Sequence, residues 1–307
     1  MKLLIIGDLH LRYTAPINRK ETFYNELLNK LEEIKQIQLQ NNIDDENVIC
    51  LGDVFDDFII DYAEKIIFDV ILYIKGWTFL VGNHDCKEKN GDIRGTTFGM
   101  LVQTGIINVC KRSIINKEFL LDFYQYYNRQ NIYNMNFNIN DNMYKTKIAF
   151  IHDYIVPNKI ANKYHAKDVV TCENMKSQYD YIFCGHYHYD YDITCNGTRF
   201  INPGALLRKT IADDDMKRKV KVCIFDLYKI DNDPVQYIYL KSCKDYKDVF
   251  NINNDDIIKK DFDSQFIQKL QNVKLYGNTF DDVINLLKDN KVDNDVIEYV
   301  DAMKQNI

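Results

Sequence analysis

The first ten residues, Met1-Lys2-Leu3-Leu4-Ile5-Ile6-Gly7-Asp8-Leu9-His10, set a short apolar run against a glycine and two polar side chains. The arrangement returns twice. Asn47–Leu51 is stopped by Gly52-Asp53, and Trp77–Val81 by Gly82-Asn83. Between these runs, Glu21–Gln40 carries Phe23, Leu27, Leu28, Leu31 and Ile34 at helical spacing. Asp61–Lys75 does the same with Ala63, Ile66, Ile67, Val70, Ile71 and Ile74. Strand, helix, strand, helix, strand is the order of a parallel α/β sheet. Ligands of such sheets bind beyond the carboxyl ends of the strands, and all three polar clusters fall there. Each glycine allows a tight exit, so a polar side chain can turn into a site.

Working outward, the pattern predicts a helix over Thr96–Thr104. Further strands are expected at Lys147–Ile151, Tyr181–Cys184, Thr198–Ile201, Lys219–Asp226 and Val235–Lys241. Glu118–Asn142 is rich in Tyr, Phe and Asn without a clean period and receives no assignment. Beyond Asp245 the composition changes. Phe262–Leu270, Thr279–Leu287 and Asp293–Met303 read as short amphipathic helices. The expected division is a catalytic body over 1–245 and a helical appendage over 246–307, joined by the Asp/Asn-rich stretch 251–256.

The 307 residues are 46% hydrophobic and 27% charged, with a formal net charge of −6, which excludes a disordered or collagen-like chain. No apolar run approaches the roughly 18 residues of a membrane span, and no membrane partner is expected. Met1–Ile6 is too short for the apolar region of a signal peptide. Eight cysteines without a CxxC pair read as reduced thiols, so a cytoplasmic protein is predicted. The acidic balance argues against bulk attachment to nucleic acid or anionic membrane, though not against a local basic groove.

Five of the six histidines stand in strand-exit clusters: Asp8-Leu9-His10, Gly82-Asn83-His84-Asp85, Ile151-His152-Asp153 and Gly185-His186-Tyr187-His188. Gly52-Asp53-Val54-Phe55-Asp56 is the remaining cluster. One such cluster is ordinarily a turn. Five at the ends of successive strands do not share that explanation. Carboxylates with neutral imidazoles suit Mn2+, Fe or Zn2+, and Mg2+ less well. The supply suffices for two ions, the arrangement that clamps both the attacking and the leaving oxygen of a phosphoryl transfer.

The order Asp-x-His, Gly-Asp-x-x-Asp, Gly-Asn-His-Asp, His, Gly-His-x-His resembles the calcineurin-like metallophosphoesterase superfamily over about the first 200 residues. Gly52-Asp53-Val54-Phe55-Asp56 is similar to the SbcD-like DNA-repair nuclease branch and its phage relatives. So are Thr96-Thr97-Phe98-Gly99-Met100-Leu101 and Phe200-Ile201-Asn202-Pro203-Gly204-Ala205-Leu206-Leu207-Arg208. The resemblance implies a four-layer αββα sandwich with a small C-terminal helical region. It implies two divalent ions, Mn2+ foremost, with Asp8, His10, Asp53 and His188 around one. Asn83, His152 and His186 would hold the second, with Asp53 bridging. A metal-bridged hydroxide would attack phosphorus, with His84 as the general acid and Asp85 orienting it. An SbcD-like DNA nuclease is the first functional expectation, paired with an SbcC-type ATPase through the C-terminal helices. Against it, Leu11-Arg12 stands where that branch usually has Leu-Gly, and about 60 residues leave little room for a cap and a dock together. A stand-alone phosphodiesterase or phosphatase for nucleotides or small phosphoesters is the alternative. A non-catalytic scaffold is disfavoured by the full ligand set.

Other residues carry weaker readings. Asp56 and Asp57 suit either a supporting or a solvated role. Asp153 reads as a turn or cap, Cys86 as a packing thiol and His165 as a surface side chain. Arg208 is a candidate substrate-phosphate contact, with a structural salt bridge as the competing role. Lys217, Arg218, Lys219 and Lys221 make a mixed-charge loop with the preceding aspartates. Tyr124, Tyr126, Tyr127 and Tyr133 offer either base-stacking surfaces or core packing.

Overall fold

Burial on both faces explains why the apolar runs are unbroken. In the computed structural model, which describes residues 1–60, 62–87, 91–110, 113–115, 118–126, 144–163 and 169–251, β1 spans Lys2–Ile6. Leu4 and Ile6 pack into one core, Leu3 and Ile5 into another on the opposite face. A strand covered on both sides cannot show polar alternation.

The first sheet continues through β2 (Val48–Cys50), β3 (Thr78–Phe79) and β4 (Asn108–Val109), all parallel to β1. The second contains β5 (Ser113–Ile115), β6 (Phe119–Tyr124) and β7 (Thr146–His152). A two-stranded ribbon, β8 (Ile155–Val156) with β9 (Val170–Thr171), follows. The second sheet resumes with β10 (Tyr181–Gly185), β11 (Tyr191–Cys195) and β12 (Thr198–Asn202). Finally β13 (Lys221–Asp226) and β14 (Val235–Tyr239) return to the first sheet, β13 antiparallel to β1 and β14 antiparallel to β13. The strand orders are β14-β13-β1-β2-β3-β4 and β11-β12-β10-β7-β6-β5.

The inter-sheet core holds Leu3, Ile49, Leu80, Leu121, Phe150, Phe183 and Phe225. Helices α1 (Phe23–Gln40) and α2 (Ala63–Ile74) cover the outside of the first sheet. The outer face of the second is covered by the segment that follows β7, through Ile155, Cys172, Met175 and Tyr179. This is the expected sandwich. The helix expected over Thr96–Thr104 is α3 (Thr97–Gln103), and Thr96 is its cap: the hydroxyl accepts from Gly99 N–H at 2.9 Å.

Among the described residues, six strands escaped the sequence reading: β4, β5, β6, β8, β9 and β11. β6 lies within the unassigned stretch, its period hidden because Phe119 and Leu121 face one core and Tyr124 the other. β11 pairs with β12 across Asn196-Gly197, whose backbones are both left-handed. That dipeptide is a hairpin signal in its own right. The compact unit runs Met1–Asn251, and its last turn is anchored where the Arg19 guanidinium lies 4.7 Å from the Phe250 ring centre. The helices expected at 262–270, 279–287 and 293–303 lie outside the described residues, as do Tyr127, Tyr133 and His165.

Candidate metal centre

Every expected ligand sits where a parallel strand ends: Asp8 and His10 after β1, Asp53 after β2, Asn83 after β3, His152 on the last residue of β7, His186 and His188 after β10. Three of them turn back on left-handed backbones, His10 with φ 48°, Asp53 with φ 47° and His186 with φ 82°. Non-glycine residues rarely adopt that conformation, and sites that hold it are over-determined by their surroundings. Gly82 is needed for a different reason than a turn: a Cβ there would lie 2.1 Å from Asp53 Oδ1.

The structure brings the predicted set together in three overlapping groups: Asp8, His10 and His188; His10, Asp53 and His84; Asp53, His152 and His186. Asp53 and His10 each belong to two. The Nε2 atoms of His10 and His188 face each other at 2.9 Å. Asn83 Oδ1 lies 2.7 Å from His186 Nδ1 and 3.2 Å from His152 Nε2. Ring nitrogens and carboxylate oxygens converging in this way form a donor set that suits borderline divalent ions, so the residues fit the two-metal expectation.

Main-chain groups fix the orientation of these side chains. His152 Nδ1 is 2.6 Å from the Leu51 carbonyl. Asp8 accepts from His186 N–H at 3.0 Å, and Asp53 from His84 N–H at 2.9 Å. Burial alone would raise the Asp53 carboxyl, but the charge and hydrogen bond of His152, with His10 and His84, hold it well below its ordinary value. Burial works against a charged His152 too; the Asp53 charge outweighs it and pushes the imidazole up to about 10. Asp8 is raised, chiefly by burial.

Two expected roles require correction. Asp85 does not orient His84. Its carboxylate accepts from Val54 N–H and Gly82 N–H, both at 2.9 Å, which ties the exit of β3 to that of β2. His84 Nδ1 instead lies 2.7 Å from the Asp56 carbonyl, leaving Nε2 for the site. Arg208 is not a substrate contact. It is buried, donating to the carbonyls of Met216 at 3.0 Å and Lys244 at 2.6 Å, with Glu26 3.8 Å away.

The cations at the rim are Lys209 and Arg12. Lys209 Nζ is 2.7 Å from Asp56 Oδ1, and Arg12 Nη1 is 2.6 Å from Asp56 Oδ2. Asp56 Oδ1 also lies 3.2 Å from His10 Nδ1, so this aspartate supports a candidate ligand. Lys209 gave no sequence cue. Asp153 accepts from Tyr154 N–H at 2.7 Å, the turn role expected of it. Cys86 is buried with its thiol pushed up to about 12, a packing residue. The rings of Tyr126 and Tyr154 flank His186 at 5.8 and 5.6 Å.

A family model for the calcineurin-like phosphoesterase superfamily domain matches residues 1–228. With that match, the fold and the converging donors, the chain belongs to the calcineurin-like phosphoesterase superfamily. No curated protein matches the sequence. Among solved structures, a novel archaeal phosphodiesterase is 15% identical, over 78% of this chain and 100% of its own, with a TM-score of 0.38. Vps29 of Entamoeba histolytica complexed with zinc is 12% identical over 78% and 98%, at 0.33. A putative 5′-nucleotidase of Staphylococcus aureus is 13% identical, over 83% of this chain and 56% of its own, at 0.42. Scores this low carry no functional argument. Among the described residues, no helix is long and apolar enough to cross a membrane.

Proposed function

We propose that the chain is a dinuclear-metal phosphodiesterase that hydrolyses DNA, in the manner of the SbcD-like nucleases. The observation that carries the phosphodiesterase reading is the sharing of Asp53 between two donor groups, one of which includes His84. The DNA reading rests on the motif resemblance of Gly52-Asp53-Val54-Phe55-Asp56. Two divalent ions, Mn2+ foremost, would supply an activated water and neutralise phosphoryl charge. Asp8, His10, Asp53 and His188 would hold one ion; Asp53, Asn83, His152 and His186 the other. His84, steered by the Asp56 carbonyl, carries the proton. As the P–O ester bond breaks, its electron pair stays on the leaving oxygen, which takes that proton from Nε2. An SbcC-type ATPase partner, reached through residues 246–307, and a cytoplasmic location belong to the same proposal.

A second reading, hydrolysis of nucleotides or other small phosphoesters without a partner, draws support from a cleft of about 410 Å3 beside Asp56. That volume lies in the lower part of the roughly 300–1,000 Å3 typical of small-ligand sites. The deciding assay is Mn2+-dependent cleavage of end-labelled single- and double-stranded DNA, with bis(p-nitrophenyl) phosphate alongside and His84→Ala as control. DNA degradation lost in the variant supports the nuclease; turnover of the small ester with intact DNA supports the second reading.

A further inference from the structure

Asp56 touches the candidate centre twice, through its side chain toward His10 and through its carbonyl toward His84. On its far side opens the cleft lined by Arg12, Tyr13, Thr14, Asp57, Ile59 and Ile60. Because Asp56 both supports His84 and lines this cleft, a leaving group protonated by His84 has the cleft next to it. The inference therefore rests on the phosphodiesterase reading for its direction, though not for its charge.

That charge is cationic at the Asp56 wall. One carboxylate faces Arg12 and Lys209 together, an excess of one positive charge before His10 is counted. Arg12 has five N–H donors. Nε donates to the Thr14 carbonyl at 2.8 Å, Nη1 to Asp56 at 2.6 Å and Nη2 to Thr14 Oγ1 at 3.2 Å, which leaves two. Lys209 spends one of its three donors on Asp56. Both side chains are held in place while keeping donors for another acceptor. Their aliphatic and aromatic surroundings, Tyr13, Ile59 and Ile60, suit the body of a nucleoside. Asp57 is exposed and accepts from Phe58 N–H at 2.8 Å, so its charge is largely met by solvent.

We propose that Arg12 and Lys209 form an anion subsite for the leaving group, which selects leaving groups that carry a phosphate of their own, as the next nucleotide of a chain does. Arg12 takes that phosphate with its uncommitted donors, and the cleft takes the attached nucleoside. Arginine suits the task because its planar fork matches phosphate oxygens while one edge stays fixed on Asp56.

The test compares thymidine dinucleotides with no terminal phosphate, a 5′ phosphate or a 3′ phosphate on metal-loaded wild type, Arg12→Ala and Lys209→Ala. Lys145→Ala, at an exposed site paired with Asp231, serves as control. Wild type and control should favour one phosphorylated dinucleotide by about tenfold or more in kcat/KM, the scale of one hydrogen bond to a charged group. Arg12→Ala should erase most of that preference. Binding of thymidine 3′,5′-bisphosphate against thymidine 3′- and 5′-monophosphate reads the same subsite without turnover, and should show the same Arg12-dependent gain. Ester hydrolysis with no Arg12-dependent preference overturns the subsite and leaves the phosphodiesterase reading standing. Arg12-dependent bisphosphate binding with no hydrolysis of any ester does the reverse.

Discussion

The substitution Glu26→Gln should destabilise this protein more than most core truncations. Glu26 lies on the buried face of α1 at 1% exposure. Its Oε2 is 2.5 Å from Arg19 Nη2 and its Oε1 is 2.7 Å from Lys30 Nζ, with Arg208 Nη2 at 3.8 Å. The amide would fill the same space but deprive three buried cations of the carboxylate they share. Breaking a buried pair in this way costs about 3–5 kcal/mol, because the partner charge stays desolvated. Against a total stability of about 5–15 kcal/mol that is a large fraction. With a urea m-value of roughly 3 kcal/mol/M, the midpoint should fall by about 1 M or more at neutral pH and unchanged slope. The folded Glu26 carboxyl is lowered: burial raises it, but Lys30 and Arg19 overcome that. Its contribution is therefore fully present above the unfolded carboxylate value of about 4.3 and lost as pH falls through the folded one. The gap between wild type and variant should narrow over that acid range. A loss under about 1 kcal/mol at pH 7, or a gap that does not change with acid, would refute the reasoning.

Four further outcomes follow from the same geometry. His84→Ala should reduce phosphodiester turnover by about 10^2–10^4-fold, with metal content by mass spectrometry unchanged. Asp53→Asn should lose more bound metal than Asp8→Asn in that measurement, because Asp53 belongs to two donor groups and Asp8 to one. Arg208→Met should lower the urea-derived stability by about 2–3 kcal/mol, whereas Lys209→Met should cost within about 1 kcal/mol and act on substrate KM instead. Native protein should consume about two equivalents of a thiol reagent rapidly, at the half-buried Cys195 and Cys243, and all eight only after denaturation.

The elements most legible in the sequence are those whose cause is local. Gly7-Asp8, Gly52-Asp53 and Gly82-Asn83 punctuate two-sided strands, so the first sheet and its exits could be read directly. The buried stripe of α1 was equally plain at Phe23, Leu27, Leu31 and Ile34. Glu26 and Lys30 lie on that same face, and nothing in the helix itself predicts it. Their burial depends on Arg19 and on Arg208, which arrives from the far end of the fold. For that reason Arg208 could be read as a phosphate contact: the residue type suits both roles, and only the distant carboxylate decides. The Asp85 role failed for a related reason. Adjacency to His84 suggested a pair, but the side chain turns to main-chain donors that carry no trace in the sequence.

The location and the orientation of the site come from different sources. The ends of β1, β2, β3, β7 and β10 supply location, which is why each motif is only three to five residues long. Orientation comes from main-chain partners: Leu51 for His152, His186 N–H for Asp8, His84 N–H for Asp53 and Asp56 O for His84. Donors already held in this way would need little rearrangement to accept an ion. The cost is stored locally, in three left-handed backbones at about 1–3 kcal/mol each and in the buried Asp8 and Asp53 carboxylates. Two packed sheets and the charge cluster under α1 offset that cost away from the chemistry. The same cluster holds the chain at residue 208 while the next residue, Lys209, reaches Asp56. The charge cluster under α1 and the candidate centre thus meet at one peptide link: Arg208 faces the core, and Lys209 faces Asp56.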